Sequence, residues 1–149
     1  MTNGTLTGAG VININDTFTQ AGNNSIINGS GILNTASGIV TNLGGQVITV
    51  ADTRVWNNSG TVNWNDDDGG TNGSFLLFNQ AVFNNLVGGV FNDNTQGTVF
   101  TDIGASASAV FNNAGTFNKV GSAVRTQTGA TVFNNTGIVN ILNGGVVLG

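Results

Sequence analysis

The reactive side chains of this 149-residue chain are few: seven aspartates, two arginines and one lysine, with no histidine, cysteine, glutamate or tyrosine. General acid–base and nucleophilic catalysis need a base held beside its partner, so carboxylates would have to carry any chemistry. The one dense group is Asp66-Asp67-Asp68, set in a polar, glycine-rich stretch that runs from Asn65 to Ser74. Calcium takes oxygen ligands from such loops, so these three residues are a candidate calcium site and the only cofactor expectation the chain offers. The glycine–aspartate nonapeptide of calcium-binding β-rolls is missing, and a solvated insertion loop is the favoured reading of the cluster. Trp64, close by, is a candidate platform for stacking a sugar ring. No catalytic residue is assigned, and the chain is not expected to be an enzyme.

Composition narrows the partners. A net charge of −4 with only Arg54, Lys119 and Arg125 as cations cannot neutralise a row of phosphates, which argues against nucleic acid. Without cysteine there are no disulfides and no thiolate metal sites. The longest unbroken run of aliphatic or aromatic residues is Phe75 to Phe78, far short of a membrane span.

The elements that must position these residues are strands. Val, Ile, Leu and Phe supply 44 positions, about 30% of the chain, above the roughly 20% below which chains stay disordered. Seventeen Val, ten Ile, nine Phe and nineteen Thr favour a pleated, half-buried backbone, and strong helix formers other than Ala are scarce. Proline, which would remove a ladder hydrogen bond, is absent.

An octad recurs: Val55-Trp56-Asn57-Asn58-Ser59-Gly60-Thr61-Val62, Val110-Phe111-Asn112-Asn113-Ala114-Gly115-Thr116-Phe117 and Val132-Phe133-Asn134-Asn135-Thr136-Gly137-Ile138-Val139. A fourth copy, Val82-Phe83-Asn84-Asn85, carries extra residues before Gly88. Its aromatic positions, 56, 83, 111 and 133, are spaced by 27, 28 and 22 residues, and weaker copies start at Gly10 and Gly31. A period in the low twenties is one coil of a solenoid. The octad is read as an apolar pair ending one strand, Asn-Asn-X-Gly turning the corner in left-handed backbone, and a second strand alternating inward and outward residues. Thr61, Asn63 and Asn65 then share one face, and Val62 and Trp64 the other. Stacked asparagines about 4.8 Å apart should bond as amide ladders. Trp56 stands where the other copies have Phe, and Trp64 alternates in step with Ile141, so core packing outweighs sugar binding at both.

The fold expected is all-β: a right-handed parallel β-helix of about six or seven coils, one domain over residues 1–149, with right-handedness taken from the usual crossover preference. A β-sandwich is the runner-up. The Phe-Asn-Asn-X-Gly-Thr units, closing with Asn143-Gly144-Gly145-Val146-Val147-Leu148, resemble the passenger repeats of bacterial autotransporters and filamentous-haemagglutinin-type adhesins. That resemblance implies a secreted, surface-anchored stalk and transfers no functional residue. The function expected is a non-enzymatic extracellular structural or adhesive β-helix. The alternative is a β-helix that grips a host or environmental glycan, calcium or ice on one flat face. Thr-X-Thr triplets do not recur at one period, which weakens the ice reading. Neither end reads as a cap, so the chain is expected to be an excerpt of a longer repeat protein or to stack end to end.

Overall fold

A computed structural model describes residues 1–45, 47–65, 74–77, 79–96, 100–103, 108–121 and 125–149, the side chains of 74, 76 and 100–103 excepted. Among them lie nineteen strands and no helix. In chain order these are β1 (Thr5–Leu6), β2 (Val11–Ile14), β3 (Phe18–Gln20), β4 (Ser25–Ile27), β5 (Ile32–Thr35), β6 (Val40–Leu43) and β7 (Val47–Val50). There follow β8 (Val55–Asn58), β9 (Thr61–Trp64), β10 (Ser74–Leu77), β11 (Val82–Asn85), β12 (Val90–Asp93) and β13 (Phe100–Ile103). The last are β14 (Val110–Asn113), β15 (Thr116–Lys119), β16 (Arg125–Gln127), β17 (Val132–Asn135), β18 (Ile138–Ile141) and β19 (Gly145–Val147).

Every third strand joins the same sheet. The result is a seven-stranded sheet from β1 to β19, a six-stranded sheet from β2 to β17 and a six-stranded sheet from β3 to β18. All strand pairs among the described residues are parallel. The molecule is therefore a β-solenoid of stacked coils, and the sandwich alternative, which needs antiparallel hairpins, does not apply.

Alternation explains why each strand can close a coil. In β6, β7, β8, β9, β11, β12, β14 and β15, positions two and four are buried and positions one and three half-buried. One side of every strand thus faces a shared interior. The expected column of octad aromatics is present: Trp56, Phe83, Phe111 and Phe133 lie in register, one per coil. Phe91 and Phe117 form a second column, with Phe75 entering from the third sheet. Phe83 packs edge-on to Trp56 at 5.2 Å and tilted on Phe111 at 4.8 Å, within the range where aromatic pairs gain beyond simple burial.

The corners depart from expectation. Asn57 and Asn58 do not turn; both belong to β8, as do their equivalents in β11, β14 and β17. None of the octad asparagines, and none of Gly60, Gly115 and Gly137, has positive φ; Gly88 in the longer fourth copy does. The bend falls on the two residues after the pair, and the octad glycine is required by proximity. A Cβ on Gly115 would lie 2.5 Å from the Leu86 carbonyl oxygen and closer still to that of Gly89, in the coil before. Left-handed backbone occurs at all three corners: at Gly29, Asp52, Asn79, Gln80 and Gly129 before the octad strand, at Gly38 and Gly88 where four residues make the octad corner, and at Gly22, Gly45 and Gly144 at the third.

Candidate functional site

Three amide ladders run along the solenoid. On one outer face Asn34 donates to Asn13 (2.9 Å), Asn57 to Asn34 (3.0 Å), Asn84 to Asn57 (2.8 Å), Asn112 to Asn84 (2.8 Å) and Asn134 to Asn112 (2.9 Å). On the next face Asn63, Asn92, Asn118 and Asn140 each donate to the preceding rung, starting from Asn42, at 2.9–3.1 Å. Both ladders donate toward the N-terminal end. Each interior rung satisfies a donor and an acceptor of its neighbours, so the side chain is spent on the fold.

The second asparagine of each pair points inward. Asn58 donates to Asn85 (2.9 Å), Asn85 to Asn113 (2.8 Å) and Asn113 to Asn135 (2.7 Å), the opposite direction. Backbone carbonyls pin that polarity: Asn58 also donates to the Val90 carbonyl, Asn85 to that of Thr116 and Asn113 to that of Ile138. A buried amide row stitches one sheet to the next at the octad corner, which offsets the cost of burying it.

Sequence reasoning missed the interior charges. Lys119 Nζ lies 3.2 Å from Asp93 Oδ1, both side chains at 0% exposure. Thr95 donates to the same oxygen (2.6 Å), and Thr126 donates to Asp93 Oδ2. The signal was available: Asp93 and Lys119 hold equivalent inward positions in successive coils, so parity alone places them together. Arg54 is also fully buried, its Nη2 donating to the carbonyls of Gly8 (2.9 Å) and Asn28 while Nε and Nη1 find no partner. Burial lowers its pKa below the ordinary guanidinium value.

Of the candidate binding residues, Trp64 requires correction. It is fully buried between Phe75 at 6.2 Å and Phe91 at 6.4 Å, so its ring is closed to a sugar and its role is core packing. Asp66, Asp67 and Asp68 lie outside the described residues. Among the described residues, no three acidic, histidine or cysteine side chains converge, and no helix is long and apolar enough to cross a membrane.

Among the described residues, an apolar surface lies open at the last coil. Phe133, Asn135, Val139, Ile141, Val146 and Leu148 line an open cleft of about 260 Å³. The inward positions of β17 and β18, buried in the middle coils, are here half-buried or exposed, Ile141 being 53% exposed. Compared with protein-family models, curated proteins and solved structures, the chain matches none, so its own residues carry the functional reading.

Proposed function

We propose that this chain is a non-enzymatic, extracellular structural or adhesive β-solenoid that serves as a surface stalk and lengthens by stacking end to end. The coil is taken as right-handed, the hand of nearly all parallel crossovers. The observation that carries the reading is the contrast between sides and end. Along the sides the polar groups are consumed: outward asparagines bond one another, and Arg54, Lys119 and Asp93 are buried. Among described side chains, only Asp16, Asp52 and Arg125 remain as exposed charges. The last described coil, by contrast, leaves Phe133, Val139, Ile141 and Val146 lining an open cleft, as a coil does until another pairs with it.

Small-angle scattering at low concentration and electron microscopy at rising concentration test this. The expected result is a rod of about 30 Å, six spacings of about 4.8 Å, that lengthens in steps of its own length. A rod that stays monomeric at the highest concentration overturns the end-to-end form.

A further inference from the structure

We propose that the buried Asp93–Lys119 pair is the precursor of an intramolecular isopeptide bond, an amide that the folded chain makes between Asp93 Cγ and Lys119 Nζ and that staples two successive coils. The bond is independent of how, or whether, copies stack.

Asp93 closes β12 and Lys119 closes β15, neighbouring strands paired in register. Neither side chain is exposed. Their surroundings are apolar. Phe91 and Phe117, both fully buried, hold the preceding inward positions of the same two strands. In register, Trp64 flanks Asp93 on one side and Ile141 flanks Lys119 on the other. Two full charges in such a place lose their hydration, a cost that falls on the ion pair and not on a neutral amide. In water the condensation runs back toward hydrolysis; in this closed interior, burial favours the bond.

The hydrogen bonds lay out the proton path. Lys119 Nζ donates to Asp93 Oδ1 at 3.2 Å and to Thr95 Oγ1 at 3.2 Å, and Thr95 Oγ1 donates in turn to Oδ1 at 2.6 Å. Thr126 Oγ1 donates to the other carboxylate oxygen, Oδ2. The ammonium therefore reaches Oδ1 by two routes, one direct and one through the Thr95 hydroxyl.

The step balances without a co-reactant. Two of the three ammonium protons move to Oδ1, the Nζ lone pair attacks Cγ to form the C–N bond, and the Cγ–Oδ1 bond breaks with loss of one water. The third hydrogen stays on the amide nitrogen, and the positive and negative charges cancel. Oδ2 becomes the amide carbonyl oxygen, and the Thr126 hydroxyl stabilises the negative charge that gathers on it during attack. Thr95 relays a proton, as general acid–base catalysis requires. The joined residues are 26 apart, so tension along the rod would pass through the staple and could not draw out the chain between them.

Trypsin acting on the denatured chain reads the bond, because Arg54, Lys119 and Arg125 are its only cleavage sites and an acylated lysine is not cut. The expected product is a peptide of residues 55–125, lighter than its sequence by one water, with peptide 120–125 missing. Full release of 120–125 from protein aged in the folded state overturns the proposal. Dehydration at Asp68-Gly69 would also remove a water but leaves Lys119 cleavable, so a light 55–119 peptide counts as release. Asp93→Ala, folded or not, should release 120–125, and a block that survives it overturns the assignment to Asp93. Thr95→Val should slow bond formation by about a hundredfold and Thr95→Ser should restore it; a Thr95→Val chain that crosslinks at the parent rate overturns the relay.

Discussion

A side chain's worth in this molecule depends on whether the next coil covers it. Phe83 has Trp56, Phe75, Phe91 and Phe111 within 5.5 Å between ring centroids, and neighbours on both sides hold the space open. Phe83→Ala should therefore cost about 3–5 kcal/mol, whereas Phe133→Ala, at the half-covered end of the same column, should cost clearly less; urea unfolding of the two variants measures the difference. The Asp93–Lys119 pair follows a different rule. Removing one partner strands a buried charge, so Lys119→Met should destabilise by about 3–5 kcal/mol. Adding Asp93→Asn removes that charge; its amide oxygen accepts from one of the Thr95 and Thr126 hydroxyls, and its N–H donates to the oxygen of the other. The double variant is expected to recover most of the loss, and a strictly additive double-mutant cycle would refute the pairing. Sequence reasoning found the Phe column because stacking preserves the period, and it missed the ion pair because residues 26 apart were compared for chemistry before they were compared for coil position.

At the level of strands and corners, two kinds of glycine are distinguishable. Gly115 is needed because the preceding coil's carbonyls crowd its Cβ position, while Gly38, at φ 79°, has nothing within 4 Å of its Cβ position. Gly38→Ala pays only the left-handed conformational cost of about 1–2 kcal/mol. Gly115→Ala must move backbone in a ladder that is hydrogen-bonded on both sides, so it should lower the melting temperature more; equal shifts would count against the crowding argument. The same distinction explains what the sequence left illegible. Asn-Asn-X-Gly carries strong turn chemistry, yet the pair sits in strand because each amide gains a partner from the coil above and below. One-sequence turn propensity cannot register bonds to residues 22 or 28 positions away. Inward and outward alternation, by contrast, was legible in Thr61-Val62-Asn63-Trp64, and it already weighed Trp64 toward the interior. Ladder rungs should show their position too. Asn84→Ala breaks two side-chain bonds and Asn134→Ala one; at about 1 kcal/mol each, the ratio of their effects on stability should be near two.

For the molecule as a whole, each coil contacts chiefly its neighbours, Arg54 reaching two coils back to the Gly8 carbonyl, so stability grows by repetition. Ends that join by apolar burial and hydrogen-bonded strand edges have a recognisable solution signature. Among described side chains the end coils carry one exposed charge, Asp16, and the nearest exposed charge of opposite sign at the other end, Arg125, lies one coil below it. Raising sodium chloride should therefore leave assembly intact, since screening acts on exposed charge pairs. Sulfate should strengthen it, and cooling should weaken it, as apolar association requires. Ile141→Lys provides the matched control. Its side chain is already 53% exposed in the single chain, so a lysine there can reach water and leave the rod folded, but it would bury an unpaired ammonium once a second copy covers the cleft. The expected outcome is a rod with nearly unchanged melting temperature that sediments as a monomer where the parent chain elongates. Assembly that survives Ile141→Lys and dissolves in salt would mean that charged sides, and not the open end, hold the copies together.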